Sequence, residues 1–312
     1  MSFEQNPLRV GSEKPKQLLN IAHRGARAFA PENTLPAFEK AITLGCQMVE
    51  MDVHMSRDRE LIVYHDDQLT RCTDANVKFP GRSSYYVSDF AYDELLSLDA
   101  GSWYERQLQL PPLERQFFLQ TITDDEIASF ISPKDHELYA SGAIIIPRLK
   151  DVLELLLDTS LMANIEIKSI PRMYPGITKA VVHLVESMGL GHRVLISSFD
   201  HEQLTEVRRM TKIIATGVLT SDRLSRSCDY LQLLDADAYL PGCYGEYDTI
   251  GFGSVSRKLD ISAIKSVIQS NRAFIVWTCN DNLQIIELSK ANVTGLITDF
   301  PNRVKAMKQK FQ

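Results

Sequence analysis

An α/β chain built on a parallel sheet is predicted by three observations: short apolar runs that end abruptly in ionisable residues, amphipathic helical segments between them, and 312 residues without an evident repeat or low-complexity tract. The first run, Leu18-Leu19-Asn20-Ile21-Ala22, is followed at once by His23, Arg24 and Gly25, as when a buried strand delivers polar groups at its C-terminal end. A helix start comes next. Asn33 or Thr34 can cap it, Pro36 suits its first turn, Leu35, Phe38 and Ile42 mark an apolar stripe, and Gly45 can close it. A strand near 47–54 then completes a strand–helix–strand unit, the crossover that parallel strands require.

That second strand alternates apolar with ionisable side chains: Val49, Met51 and Val53 share one face, and Glu50, Asp52 and His54 the other. Two carboxylates on a buried face are costly without partners, and a divalent cation would offset that cost. The alternation returns at Asn164-Ile165-Glu166-Ile167-Lys168, which adds a third carboxylate and a lysine. Salt-bridged strand charges are the plainer reading of either segment alone; together with their flanks they read as a metal site on strand ends. Those flanks hold His23 and, after Leu61-Ile62-Val63-Tyr64, His65 and Asp66. Imidazole exchanges a proton near neutral pH, so two histidines at strand ends beside acids are candidate acid/base groups. His54 points inward beside Asp52 and reads as barrel filling, with a hydrogen bond to a ligand carboxylate as the alternative. His136, His183, His192 and His201 read as surface or capping residues.

Further helices are expected near 148–159, 174–189, 200–210, 259–270, 281–290 and 302–311, and strands near 162–168, 193–198, 212–218, 236–240, 273–278 and 295–298. With 18–23 and 47–54 that makes eight strands. Between 224 and 258 only Asp235–Leu240 suggests a strand; Pro241-Gly242-Cys243-Tyr244-Gly245, Gly251 and Gly253 suggest a long loop.

Seven segments, in order, resemble landmarks of the glycerophosphodiester phosphodiesterase family. They are His23-Arg24-Gly25, Glu32-Asn33-Thr34, Glu50-Met51-Asp52, His65-Asp66, Ile165-Glu166-Ile167-Lys168, Val276-Trp277-Thr278-Cys279-Asn280 and Thr298-Asp299-Phe300-Pro301. The likeness spans Leu18 to Lys305. It implies a TIM-type (β/α)8 barrel that hydrolyses glycerophosphodiesters to glycerol 3-phosphate and an alcohol with a divalent metal. By position, Glu50, Asp52 and Glu166 resemble the metal ligands and His23 and His65 the acid/base pair. Arg24 and Lys168 resemble phosphate contacts, Trp277 an aromatic wall on the glycerol side, and Phe199, after Ser197 and Ser198, a pocket residue. In related enzymes the attacking group is the substrate's own neighbouring glycerol hydroxyl, giving a cyclic phosphate that water opens. Three carboxylates suit Mg²⁺, Ca²⁺ or Mn²⁺ better than Zn²⁺. The chain departs from the family at Asp58-Arg59-Glu60, where Asp-Gly is usual, at Cys279, and over 114–140 and 228–258. A lysophospholipase D-type phosphodiesterase on the same scaffold, or a non-catalytic phosphate-ester binding protein, are the competing readings. The second would be expected to lose a histidine or a ligand, and all five positions are present.

Positions 66–145 form an insertion; without it about 232 residues remain, the size of one barrel. So long a connection is expected to be a lid or small subdomain, with a helix over Asp89–Leu96 and with Tyr85, Tyr86, Trp103 and Tyr104 packing it down rather than touching substrate. The domain plan is therefore a polar, loosely held arm at 1–16 and a barrel domain at 17–312. A net charge of −6 and a pI of 5.7 favour neither nucleic acid nor an anionic membrane surface, so the partner implied is a small molecule. Five cysteines (Cys46, Cys72, Cys228, Cys243, Cys279), unpatterned and odd in number, do not suggest a disulfide framework. Residues 1–7 lack signal-peptide features and no run reaches about 20 apolar residues, so a cytoplasmic enzyme is expected.

Overall fold

In the computed structural model, which describes residues 5–169, 171–221, 224–242 and 261–310, the eight expected strands close into a parallel (β/α)8 barrel. The strands are β1 (Leu19–Ala22), β2 (Met48–Met55), β4 (Met162–Ile167), β5 (Val194–Ser198), β6 (Ala215–Thr220), β7 (Ala238–Pro241), β8 (Ala273–Val276) and β9 (Gly295–Thr298). Pairing of β1 with both β2 and β9 completes the ring. The remaining strand, β3 (Leu61–Val63), runs antiparallel to the end of β2 and is not a stave of the barrel.

Each stave changes character along its length. Leu19, Ile21, Met48, Met162, Leu195, Ala215, Ala238, Ala273, Ile275 and Ile297 form an apolar cluster inside the ring. Two residues further along the same faces, or four on β4 and β5, the period of two brings polar or aromatic groups to the C-terminal rim: His23, Glu50, Glu166, Phe199, Trp277 and Asp299. The opposite faces join the outer helices in one large core. Helix Leu149–Leu157, for example, buries Leu149, Val152, Leu153 and Leu156 at helical spacing. The expected helices after β4, β5, β7, β8 and β9 begin and end within a few residues of the positions read from periodicity. A short helix, Ser227–Leu233, between β6 and β7 was not foreseen; only Leu231 and Ser227 are buried, so no apolar stripe betrays it. The glycine-rich tract from Cys243 to Gly253 lies outside the described residues. Cys46, Cys72 and Cys228 are free thiols.

Residues 5–14 are not a loose arm. Asn6 Nδ2 donates to the carbonyls of Gly191 and Val194 at 3.1 and 2.7 Å, and Leu8, 1 % exposed, joins the cluster inside the ring. Arg9 and the Val10 N–H both donate to Asp237, which also takes Arg208. Polar composition conceals this anchorage, because the floor of a barrel needs only one apolar side chain to cover it.

The insertion is a helical layer over one flank. Its short helices include Tyr92–Leu96, Ser102–Leu108, Asp124–Phe130 and Pro133–Ala140, the last two opened by capping boxes from Thr123 with Glu126 and from Ser132 with Asp135. Trp103 and Tyr104 are buried, and Tyr85 and Tyr86 half-buried. Tyr104 and Tyr139 donate to the carbonyls of Ala28 and Phe29 at 2.6 and 3.0 Å, while Lys40 pairs with Asp135 and Arg303 with Glu126. The layer is thereby tied to the loop after β1 and to the first and last helices of the barrel. Among the described residues no helix is long and apolar enough to cross a membrane.

Because Leu8 fills space inside the ring, Leu8→Ala is expected to lower stability by about 2–5 kcal/mol in urea unfolding. A loss below about 1 kcal/mol would place the side chain outside the core.

Candidate active site

The pairing of β2 with β4 builds the centre of the site. Its register sets Glu50 beside Asn164 and Asp52 beside Glu166, so three acids from two strands reach one point. Oxygens of Glu50, Asp52 and Glu166 lie within 4.8 Å of one another, and all three residues are buried. Lys168 Nζ sits 3.0 Å from Asp52 Oδ1 and 2.6 Å from Glu166 Oε1, the latter contact off hydrogen-bond geometry. Asn33 Nδ2 donates to Asp52 Oδ2 at 2.8 Å, and the Arg24 N–H to Glu50 Oε2 at 2.9 Å.

Burial, with Asp52 and Glu166 close by, raises Glu50 well above the usual carboxylate range. Burial also raises Glu166, then Asp52 adds to the rise and Lys168 offsets part of it. For Asp52 burial is outweighed by Lys168, His65 and Arg24, which hold it well below its ordinary value. A buried trio whose oxygens converge and in which both Glu50 and Glu166 are pushed toward the protonated form fits a divalent cation with oxygen ligands. These are the residues that could hold one.

Two imidazoles flank the trio. His23 Nδ1 lies 2.7 Å from Asp299 Oδ1, and its Nε2 is 3.9 Å from Glu50 Oε2. Asp299 also takes Arg27 Nε at 2.5 Å and Asn280 Nδ2 at 2.7 Å. His65 Nδ1 lies 2.6 Å from Asp66 Oδ1. Burial, reinforced by Arg27 and Arg24, lowers His23 to about 4; burial with Arg24 and Lys168 lowers His65 to about 3. A carboxylate on each Nδ1 fixes the proton there and leaves Nε2 as the acceptor.

Arg24 adopts a left-handed backbone, φ 54°, followed by Gly25 at φ 77°. A Cβ on Gly25 would stand 2.6 Å from the Cβ of Ala37, so the turn that aims His23 and Arg24 has room only for glycine. The guanidinium of Arg24 is bound to Glu32 at 2.9 Å, and its buried Nε, 3.5 Å from Asp52, makes no hydrogen bond. That N–H is suited to an anion. Phe199 and Trp277 meet edge to face with ring centroids 5.5 Å apart, and the Trp277 indole donates to the Leu240 carbonyl at 2.9 Å. Phe199 shares a pocket of about 280 Å³ with Glu166, Lys168, Ser169 and Ser198.

All nine residues singled out by sequence thus stand at the C-terminal rim. His54 does not touch the acids: Nδ1 meets the Tyr174 hydroxyl at 2.8 Å and Nε2 the His65 carbonyl at 3.0 Å, so it supports the His65 backbone. Neither candidate cap serves the first helix. The Thr34 hydroxyl donates to the Pro31 carbonyl and the Asn33 amide goes to Asp52, which leaves that helix with no side-chain cap. Asp299 was recognisable as the next inward position after Ile297, whereas Arg27 and Arg71 lie in loops where no period marks them.

The model of the glycerophosphoryl diester phosphodiesterase family matches residues 23–303. A glycerophosphodiester phosphodiesterase of Bacillus altitudinis is 32% identical over 94% of this chain and 98% of its own. Among solved structures, a phosphodiesterase of Oleispira antarctica, in complex with the product sn-glycerol 3-phosphate, aligns with a TM-score of 0.67 at 23% identity, covering 94% of this chain and 96% of its own. A glycerophosphodiester phosphodiesterase of Agrobacterium tumefaciens aligns at 0.64 and 23%, over 92% and 98%. These last two share the barrel. With the family match running from His23 to Arg303, the chain belongs to the glycerophosphoryl diester phosphodiesterase family and is a phosphodiesterase.

Proposed function

We propose that the chain hydrolyses glycerophosphodiesters to glycerol 3-phosphate and an alcohol, with one divalent cation on Glu50, Asp52 and Glu166 and with His23 and His65 as the acid/base pair. The observation that carries this reading is the carboxylate trio, its oxygens within 4.8 Å, flanked by two imidazoles whose Nδ1 atoms are each held by an aspartate. The product in the Oleispira antarctica structure supports the substrate class.

A phosphodiester is an anion, and its cleavage gathers more negative charge on the phosphoryl oxygens. Cations already in place therefore do most to lower the barrier. Arg24, with its unbonded Nε, and Lys168 supply fixed positive charge, and the Arg24 backbone is held by Glu50. A bound Mg²⁺, Ca²⁺ or Mn²⁺ would add Lewis-acid polarisation of a phosphoryl oxygen. One imidazole accepts at Nε2 the proton of the attacking hydroxyl; the other, having taken a proton from water at Nε2 as the ester binds, gives it to the departing alkoxide, and the first then releases its proton to solvent, so both end as they began. Both start neutral at pH 7, and an anionic ester arriving beside them raises their basicity. Phe199 and Trp277 offer an apolar wall to the carbon skeleton of the glycerol.

Three measurements test the reading. His23→Ala and His65→Ala are each expected to lower turnover by roughly 10²–10⁴ with unchanged unfolding curves; near-normal rates in both would remove the histidines from the chemistry. Glu50→Gln should raise the Mg²⁺ concentration for half-maximal activity by about tenfold or more, and an unshifted metal titration would exclude this residue as a ligand. Finally, purified protein with Mg²⁺, Ca²⁺ or Mn²⁺ should release glycerol 3-phosphate from glycerophosphocholine in preference to lysophosphatidylcholine. The opposite preference would favour a lysophospholipase D, and binding without turnover a non-catalytic role.

A further inference from the structure

Six residues after His65 lies Arg71, a side chain that no step above uses. Its guanidinium forks onto Asp66, Nε to Oδ2 at 2.6 Å and NH2 to Oδ1 at 2.8 Å. NH2 also donates to Glu32 Oε1 at 2.5 Å, and NH1 to Glu32 Oε2 at 3.4 Å and to Gln116 Oε1 at 3.1 Å. Asp66 Oδ1 is the oxygen that meets His65 Nδ1. Glu32, buried, accepts in turn from Arg24, whose backbone N–H donates to Glu50.

A carboxylate on a surface loop can rotate toward water, and Asp66 is about a quarter exposed, its side chain at 24 %. Engaging both its oxygens with one planar fork prevents that rotation. Losing the fork would let Asp66 turn away and the imidazole exchange which nitrogen carries the proton. Glu32, in the loop after β1, anchors the same fork, and Gln116 adds a contact from further along the insertion.

We propose that Arg71 is a positioning residue for His65, holding Asp66 so that the imidazole keeps its proton on Nδ1 and presents Nε2 to the ester. The kinetic part of this rests on the phosphodiesterase reading above. Arg71→Gln and Arg71→Lys are to be assayed with glycerophosphocholine at saturating Mg²⁺, each also in a His65→Ala background. The tautomer of His65 is to be read by ¹⁵N-histidine NMR, its resonances assigned by their absence from His65→Ala. Arg71→Gln is expected to lower kcat about ten- to a hundredfold with KM within about twofold, and to change kcat less than about twofold once His65 is alanine. Its His65 resonances should move from a single Nδ1–H form to a mixture, with Arg71→Lys between the two. An unchanged kcat, an equal loss in both backgrounds, or an unchanged tautomer would overturn the assignment. Should Arg71→Gln fail to fold, Arg71→Lys keeps a cation against Glu32 and carries the same two readouts. If the wild-type protein releases no glycerol 3-phosphate, the phosphodiesterase reading fails while the tautomer measurement still judges Arg71.

Discussion

Mutual repulsion among three acids at the barrel mouth is the constraint around which the remainder is arranged. Two carboxylates about 5 Å apart repel by about 3 kcal/mol at the effective dielectric of a protein site, and Glu50, Asp52 and Glu166 form three such pairs. The chain answers with cations and donors rather than with distance. Lys168 bridges Asp52 and Glu166, Arg24 donates its backbone N–H to Glu50, and Asn33 its amide to Asp52. Even so Glu50 stays well above its ordinary pKa, so the compensation is incomplete in a way that a divalent ion would complete. Stability surrendered here has to come from elsewhere in the fold.

Part of it comes from the insertion. The loop from Arg24 to Thr34 carries Arg24, Arg27, Glu32 and Asn33 and includes two non-glycine residues at positive φ, Arg24 and Asn33. Such a loop would not hold its shape unaided. Tyr104 and Tyr139, both buried, hydrogen-bond the carbonyls of Ala28 and Phe29, and Arg27 lies 4.2 Å over the ring of Phe118. Tyr104, expected from the sequence only to pack the insertion down, thus acts on the site at one remove with Tyr139 and Phe118, by fixing the backbone that presents its charges.

What was legible in the sequence follows from which properties are local. A strand's period of two is local, so the inward set Glu50, Asp52, Glu166 and Lys168 could be read from two short segments, and Asp299 could have been read the same way. Capping boxes are local as well, and Thr123 with Glu126 and Ser132 with Asp135 mark helices in a stretch that matched little of the family pattern. Arg27 and Arg71 were not legible, because their partners Asp299 and Glu32 become neighbours only when the ring closes and the loops fold over it. Asn33 and Thr34 were legible as caps and misread as to use, since tertiary acceptors at Asp52 and Pro31 took their hydrogen bonds. The anchorage of Leu8 was hidden for a related reason: a lone leucine among polar residues has no period.

Met48 stands beside Met162, Glu50 beside Asn164 and Asp52 beside Glu166, so the step from apolar floor to charged rim occurs at the same height on both strands. A slip of one residue would turn Glu50 and Asp52 to the helix side, and a slip of two would set Asp52 beside Asn164 or Lys168, dispersing the trio. In an open sheet nothing but the pair itself would resist such a slip. Here β2 is also paired to β1, and β1 to β9, so a shift in one ladder would have to be shared by every ladder in the ring. Closure of the barrel, secured below by Leu8 and the Asp237 cluster, is thus what keeps the acids opposite one another at the top.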